Sequence, residues 1–438
     1  MDFDWPGDDD LRRVEIRQWL AEHNGDPSQE ALARSGYVAP HWPKPYGLDA
    51  DPIHQLIIDE ELAAAGVKRA AGGIGLGWAG PTILFGGTRE QQDRYLWPIL
   101  TGEEIWCQLF SEPDSGSDLA NLATRAVRDG DRYIVNGSKI WSSGAHRSQL
   151  GILIARTDPD VPKHRGVSYF ICPMDTPGLE LQPIVDMTTA YSFNQTFFTD
   201  MELPVENRIG DENDGWRLAK VTLGNERVSL SGEGALWGSG PSAVDLLDVV
   251  RSAGGLADPT LRDRAARLHI EGEVLRLIRL RTLTARLQGR QPGPEASVRK
   301  ALADEHGQNV MHLAKDLTGT HGMLTDTGPL GGSPLFPTAH AVVEGWQNWH
   351  GGFLFSPALT IGGGTSEVQR NIVAERVLGL PHDIDVQSGQ TWSETRGYQW
   401  AGRLVESTRT PVHRSPGYDS SPIDANLGGS TRNIPEGV

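Results

Sequence analysis

Two stretches rich in small residues carry the side chains best suited to holding a polar ligand. In "WCQLFSEPDSGSDLA" (106–120) a β-rich run passes into Ser-Glu-Pro and then a turn. There Gly116 lets backbone N–H groups approach a ligand, and Ser111 and Ser117 offer hydroxyls. Further on, "KIWSSGAH" sets Trp141, an aromatic plate, beside Ser142 and Ser143. Plate, hydroxyls and amides on one β domain suit a flat heteroaromatic ring with hydrogen-bonding edges; ordinary structural turns are the alternative. A third stretch, "LTIGGGTSEVQR" (359–370), brings three consecutive glycines, so its backbone can also lie close to a ligand. Nothing in "GGG" can move a proton. If this loop is catalytic, its acid or base must come from elsewhere.

The elements that would position these residues follow from periodicity. Residues 9–100 are mostly helical in pattern: "DDDLRRVEIRQWLAEH" places Leu11, Val14, Ile16, Trp19 and Leu20 near one face. "PIHQLIIDEELAAAG" starts at a proline and stops at Gly66. The period then falls to 2 in "WCQLF", "TRAVRD", "RYIVN", "SKIWSS", "LGILIART", "VSYFICPM" and "LELQPIV". "DGD" at 129–131 and "NG" at 136–137 are hairpin signals between such runs. Helical periodicity returns at "DGWRLAKVTLGNERVSLSGEG", and 261–289 adds a long helix with arginines along an exposed face. The expected architecture is α+β: a helical domain over 1–103, a β domain over 104–206, a helical bundle over 207–381 and an extended tail over 382–438.

Composition excludes several function classes. The chain of 438 residues has a net charge of -17, which argues against nucleic acid as a partner. No stretch approaches the roughly 20 apolar residues of a membrane helix, and the acidic start is unlike a signal peptide, so a cytoplasmic location is expected. Cys107 and Cys172 each sit in an apolar run and are expected to be buried free thiols. "GLGWAG" (75–80) matches G-x-G-x-x-G by letter, but it follows a helix outside any βαβ unit. Its glycines are expected to allow close helix packing rather than to bind a dinucleotide.

The order and spacing of the motifs resemble the acyl-CoA dehydrogenase family over about residues 5 to 380. The matching pieces are "CQLFSEPDSGSDLANLATRAVRDGDRYIVNGSKIWSSGAH", "FNQTFFTDMELPVENRIGDENDGW", "DLTGTHGML" and "GGGTSEVQRNIVAERVLGLP". The resemblance implies an N-terminal helical domain, a middle β domain and a C-terminal four-helix bundle, with non-covalent FAD between them. It implies that Gln108, Phe110 and Ser111 lie along the isoalloxazine, that Trp141 flanks it and that Ser143 reaches its N5 region. Ser117 would sit near the cofactor phosphates or the substrate thioester, and Thr365 and Glu367 would contact FAD from the bundle. Gly319 would serve the adenine side from a second subunit, which implies a dimer at least and a tetramer by family habit. That tetramer could be a homotetramer or a heterotetramer with a related chain. Electron-transfer flavoprotein or a similar acceptor would take the electrons from the oxidised acyl-CoA substrate.

The resemblance also exposes a departure. Many members carry a glutamate directly before the Gly-Thr pair, where this chain has Gly363. In another branch, which includes isovaleryl-, long-chain-type and bacterial sterol side-chain enzymes, an earlier helix supplies the base from a Glu-Arg pair. "GNERVSLSG" (224–232) matches that branch, making Glu226 the expected base and Arg227 its structural or substrate-positioning neighbour. Gly363 would keep a backbone N–H for the enolate oxygen while emptying space for bulky or branched acyl groups. The family's Arg-x-x-Phe-Gly segment, which grips the FAD pyrophosphate, has no clear counterpart in "VRSAGGLADPTLRDR", where Arg251 is a weak substitute. Asp114 occupies a place where small residues are usual. Two other readings stay open: a non-catalytic partner subunit of a hetero-oligomeric acyl-CoA dehydrogenase, and a flavin oxidase or monooxygenase on the same fold.

Overall fold

The computed structural model describes residues 6–188, 191–229, 234–287, 293–319, 349–384 and 387–395. Five helices come first: α1 (Leu11–Glu22), α2 (Gln29–Arg34), α3 (Pro52–Ala64), α4 (Gly80–Gly86) and α5 (Arg89–Thr101). Asp10 caps α1 by accepting from the Arg12 N–H, and Pro52 opens α3 behind its cap Asp51. The buried face of α1 is Arg13, Ile16 and Leu20, whereas Leu11 and Val14 are exposed. The apolar stripe expected on α1 is therefore corrected: Arg13 turns inward because Glu61 of α3 accepts from its Nη1 at 2.7 Å.

Eight strands then form one mixed sheet: β1 (Trp106–Leu109), β2 (Arg125–Asp129), β3 (Arg132–Lys139), β4 (Leu150–Arg156), β5 (Val167–Pro173), β6 (Leu179–Ile184), β7 (Phe193–Pro204) and β8 (Arg208–Ile209). Their order is β6-β7-β3-β2-β4-β5-β8, and β1 pairs parallel to β4. All of β4 is buried, which explains its apolar run from Leu150 to Ala155: one face packs into the core shared with the helices and the other into the sheet's second core. The 129–131 hairpin forms, with Asp129 opposite Arg132. The hairpin expected at 136–137 does not. Gly137, at φ +145°, sits inside β3 at a register shift against β7, and a Cβ there would lie 2.6 Å from the Thr124 hydroxyl. The glycine serves a bulge and a close approach rather than a turn. Likewise only Ser138 and Lys139 of "SKIWSS" are in a strand.

The remaining helices are α6 (Gly215–Ser229), α7 (Ala243–Ser252), α8 (Pro259–Leu287), α9 (Glu295–Leu317), α10 (Trp349–Phe355) and α11 (Ser366–Ile372). Leu246 and Val250 of α7, Leu268 of α8 and Val310 and Leu313 of α9 close a second core with Phe355 and Leu359. "GLGWAG" lies in a helical turn leading into α4, where a Cβ on Gly80 would strike the Trp42 ring at 2.3 Å and one on Gly75 would touch Trp106 at 3.0 Å. Close packing is what those glycines serve. Cys107 and Cys172 are buried and unlinked, and burial pushes the Cys107 thiol up to about 12. No helix among the described residues is long and apolar enough to cross a membrane.

Candidate active site

Strand β1 carries Gln108 and leads through Phe110 into the turn that begins at Ser111. The turn is shaped from below by a buried ion pair. Lys139 Nζ, on a fully buried side chain, donates to Glu112 Oε1 and to the Phe110 carbonyl, both at 2.9 Å. The Glu112 carboxylate also accepts from the Ala123 and Thr124 N–H groups at 2.7 and 2.8 Å. Burial pushes this carboxyl up, but Lys139 and the two N–H donors outweigh it and hold Glu112 below the ordinary carboxylate range. With its carboxylate committed inward, the turn presents Gly116 and Ser117 to the outside; a Cβ on Gly116 would meet nothing within 4 Å. The Phe110 ring belongs to the core: it packs edge-on to Tyr169 at 5.9 Å and is 2% exposed. Any flavin contact at this position would have to use main chain.

Trp141 follows β3 with φ +60° and 56% exposure, an unusual backbone for a bulky residue and an unusual place for an indole. Its neighbour explains how it is held. Ser142 is buried, exchanging backbone hydrogen bonds with Asn194 (3.0 and 3.2 Å) and receiving the Thr196 hydroxyl. Phe193 supports the indole edge-on at 5.8 Å. Ser143 is exposed beside it. The sheet thus locks one serine and displays a plate and a hydroxyl.

Helix α6 carries Glu226 and is clamped between β5 and α4. A Cβ on Gly215 would lie 2.5 Å from Ser168 of β5, and one on Gly86 of α4 would lie 2.4 Å from Leu218. Between them the Thr222 hydroxyl meets Thr82 of α4 at 2.8 Å and Tyr169 of β5 at 3.0 Å. Glu226 is one turn beyond Thr222 on the same face, so this buried hydroxyl cluster also sets its direction. Glu226 is 7% exposed, and Gln108 Nε2 donates to its Oε2 at 3.4 Å. Strand β1 and helix α6, 118 residues apart at this pair, therefore bring an expected base beside an expected cofactor-lining residue. Arg227 lies in the helix, but its side chain is outside the described residues.

The glycine loop lies after α10. Gly363 and Gly364 have φ of +64° and +90°, and Gly362 lies so close to Trp237 that a Cβ would come within 2.6 Å of the indole. The Gly362 N–H is spent on the Ala358 carbonyl, whereas the Gly363 N–H has no acceptor among the described residues. The buried Gln369 donates from Nε2 to the carbonyls of Gly363 (3.1 Å) and Gly364 (3.4 Å). Thr365 caps α11 by accepting from the Val368 N–H, and Glu367 is exposed and paired with Arg370 at 3.3 Å. Gly319 follows α9 at φ +53°, with no described residue within 4 Å of a Cβ built there; residues 320–348, with the rest of "DLTGTHGML", lie outside the described residues. Sequence reasoning missed Lys139, Thr222 and Gln369. Their only signal is a polar residue in an otherwise apolar face, which a surface position shares.

A flavin fits the residues that remain accessible: an exposed indole on a fixed backbone, a free-standing serine, and a small-residue turn whose own carboxylate is withdrawn. The chain matches the acyl-CoA dehydrogenase N-terminal domain over 12–103, the middle domain over 107–201 and the C-terminal domain over 213–378. Acyl-CoA dehydrogenase FadE34 of Mycobacterium tuberculosis is 40% identical over 372 residues, covering 84% of this chain; the chain spans 48% of that relative's length. Acyl-CoA dehydrogenase IpdE1 of the same organism is 34% identical, covering 85% of this chain and 97% of that one. Among solved structures, the Tcur3481-Tcur3483 steroid ACAD has a TM-score of 0.67 at 28% identity, covering 87% of this chain and all of that one. The ChsE4-ChsE5 complex from Mycobacterium tuberculosis has 0.65 at 31% identity, with the same coverage. This chain belongs to the acyl-CoA dehydrogenase family, whose members are FAD-dependent oxidoreductases.

Proposed function

We propose that the chain desaturates an acyl-CoA thioester to the trans-2-enoyl-CoA, with Glu226 removing the α-proton. The observation that carries this reading is the meeting of a nearly buried carboxylate on α6 with Gln108 on the strand that leads into the Ser111–Ser117 turn. The carboxylate is held largely out of water, and the Gln108 amide can steady its orientation. The Gly363 N–H, without an acceptor among the described residues, is the donor that would stabilise the enolate oxygen. FAD, bound against Trp141, Ser143 and the Gln108–Ser117 segment, supplies the hydride acceptor. Gly319 would serve the adenine side, and electrons would pass to electron-transfer flavoprotein or a similar acceptor.

A side-chain-free position 363 favours bulky, ring-bearing or branched acyl groups, in keeping with the steroid named in one structural relative. The test is a flavin spectrum of the purified protein followed by bleaching with straight, α-branched and ring-bearing acyl-CoAs. Glu226→Gln is expected to stay yellow and lose bleaching by about 100-fold or more; full activity in that variant overturns the mechanism. A clear preference for short straight chains overturns the substrate class. A colourless protein would favour the partner-subunit role, and rapid reoxidation by oxygen an oxidase.

A further inference from the structure

Residues 387–395 lie beyond the last family-matched residue, 378, yet they return to the sheet. Trp392 is 7% exposed. Its backbone N–H donates to the Val161 carbonyl and that of Ser393 to Pro159, both at 2.9 Å, while the Ser393 hydroxyl donates to Asp160. The indole covers Arg156 at the end of β4, with the guanidinium carbon 4.6 Å from the ring centroid. Arg156 is itself buried and donates to the carbonyls of Ala120 (2.6 Å), Leu122 (3.1 Å) and Lys163 (3.1 Å). The Trp392 Nε1–H also points at the Asn121 carbonyl at 3.5 Å, the same carbonyl that receives the Ser115 hydroxyl at 3.0 Å. Lys163 then pairs with Asp118 at 2.9 Å on the solvent side.

The bonds to Pro159, Asp160 and Val161 anchor the segment beside the sheet, while Arg156, the Trp392 Nε1–H and Lys163 reach the turn from Ser115 to Leu122. A guanidinium shielded from water holds carbonyls more firmly than a solvated one, and the indole is that shield. We propose that Trp392 is a positioning residue and that 387–395 is a strap keeping the Ser117-bearing turn in its ligand-binding shape. This rests on the reading of that turn as lining the cofactor and acyl-CoA cleft.

The experiment compares amide hydrogen exchange across 115–122 in the flavin-loaded full chain and its Trp392→Ala and Trp392→Phe variants. It is read alongside flavin dissociation, KM and kcat. In Trp392→Ala, exchange in the turn is expected to speed up roughly tenfold while β4 and β5 stay protected. KM and flavin release are expected to rise several-fold with kcat within about twofold, and Trp392→Phe to restore most of each. Unchanged exchange in the turn, or an equal rise across the sheet, overturns the strap. Faster exchange with unaltered flavin release and KM overturns its role in ligand binding. The Glu226 mechanism stands or falls separately, on bleaching.

Discussion

Gln369 does for the glycine loop what no side chain inside the loop can do. Two successive left-handed residues, Gly363 and Gly364, leave their carbonyls pointing inward, and a single buried amide donates to both. Replacing it with leucine of similar size would strand those carbonyls, at about 1–3 kcal/mol each for a buried unpaired group, less whatever water recovers. Gln369→Leu is expected to lower the thermal midpoint by several degrees and to reduce kcat more than it raises KM, with the flavin retained. Thermal unfolding and steady-state kinetics check both. At this scale the residues proposed for the chemistry are those whose type and order coincide with motifs: the serines, Trp141 and Glu226. Phe110 and Gln369 were not readable. Nothing local says that a phenylalanine beside a ligand turn faces the core, or that a glutamine one turn into α11 is fully buried.

At the scale of elements β4 and β5 were legible because apolar residues dominate both, whereas β7, the longest strand, was not among the runs read as strands: its alternation is one of burial, with Asn194 and Thr196 turned inward. What escaped was tertiary in origin. Asn-Gly inside β3 carries the same letters as a hairpin, and only the approach of Thr124 makes it a bulge. The Glu112–Lys139 pair was hidden for a similar reason, since both residues stand where a solvated charge is the ordinary reading. Glu112→Gln would leave Lys139 as a buried charge without its counter-ion, at a cost of about 3–5 kcal/mol near neutral pH. The sign of its pH dependence follows from the depressed acidity of Glu112. The folded state favours the carboxylate, so this stabilisation is complete above the carboxyl's ordinary value of 4.5 and is lost as pH falls through its lower folded value. The gap between wild type and Glu112→Gln is therefore expected to narrow steadily below about pH 4.5. Urea unfolding across pH 3 to 7 checks it, and a gap independent of pH would deny the pair its role.

For the whole molecule, the open question is what grips the cofactor's pyrophosphate. The net charge of -17 makes a diphosphate costly to hold without a dedicated cation. Arg251, the substitute suggested by position, lies exposed on α7 and is paired with Asp248 on the same helix at 2.6 Å. A surface pair of this kind contributes little to a ligand, so Arg251→Ala is expected to change flavin affinity by less than about twofold. Meanwhile no described residue lies within 4 Å of a Cβ built on Gly319, which follows α9 and is the position proposed to serve the adenine side across subunits. A related chain bearing the missing arginine would then supply the grip, an arrangement in keeping with the two-chain names of the structural relatives. The protein purified alone is accordingly expected to be yellow but to shed flavin during gel filtration, the more so as salt weakens the remaining electrostatic contacts. Mixing with such a related chain should slow the loss and raise the mass measured by light scattering. Retention of one flavin per chain through filtration, without any second chain, would assign the whole cofactor site to copies of this chain alone.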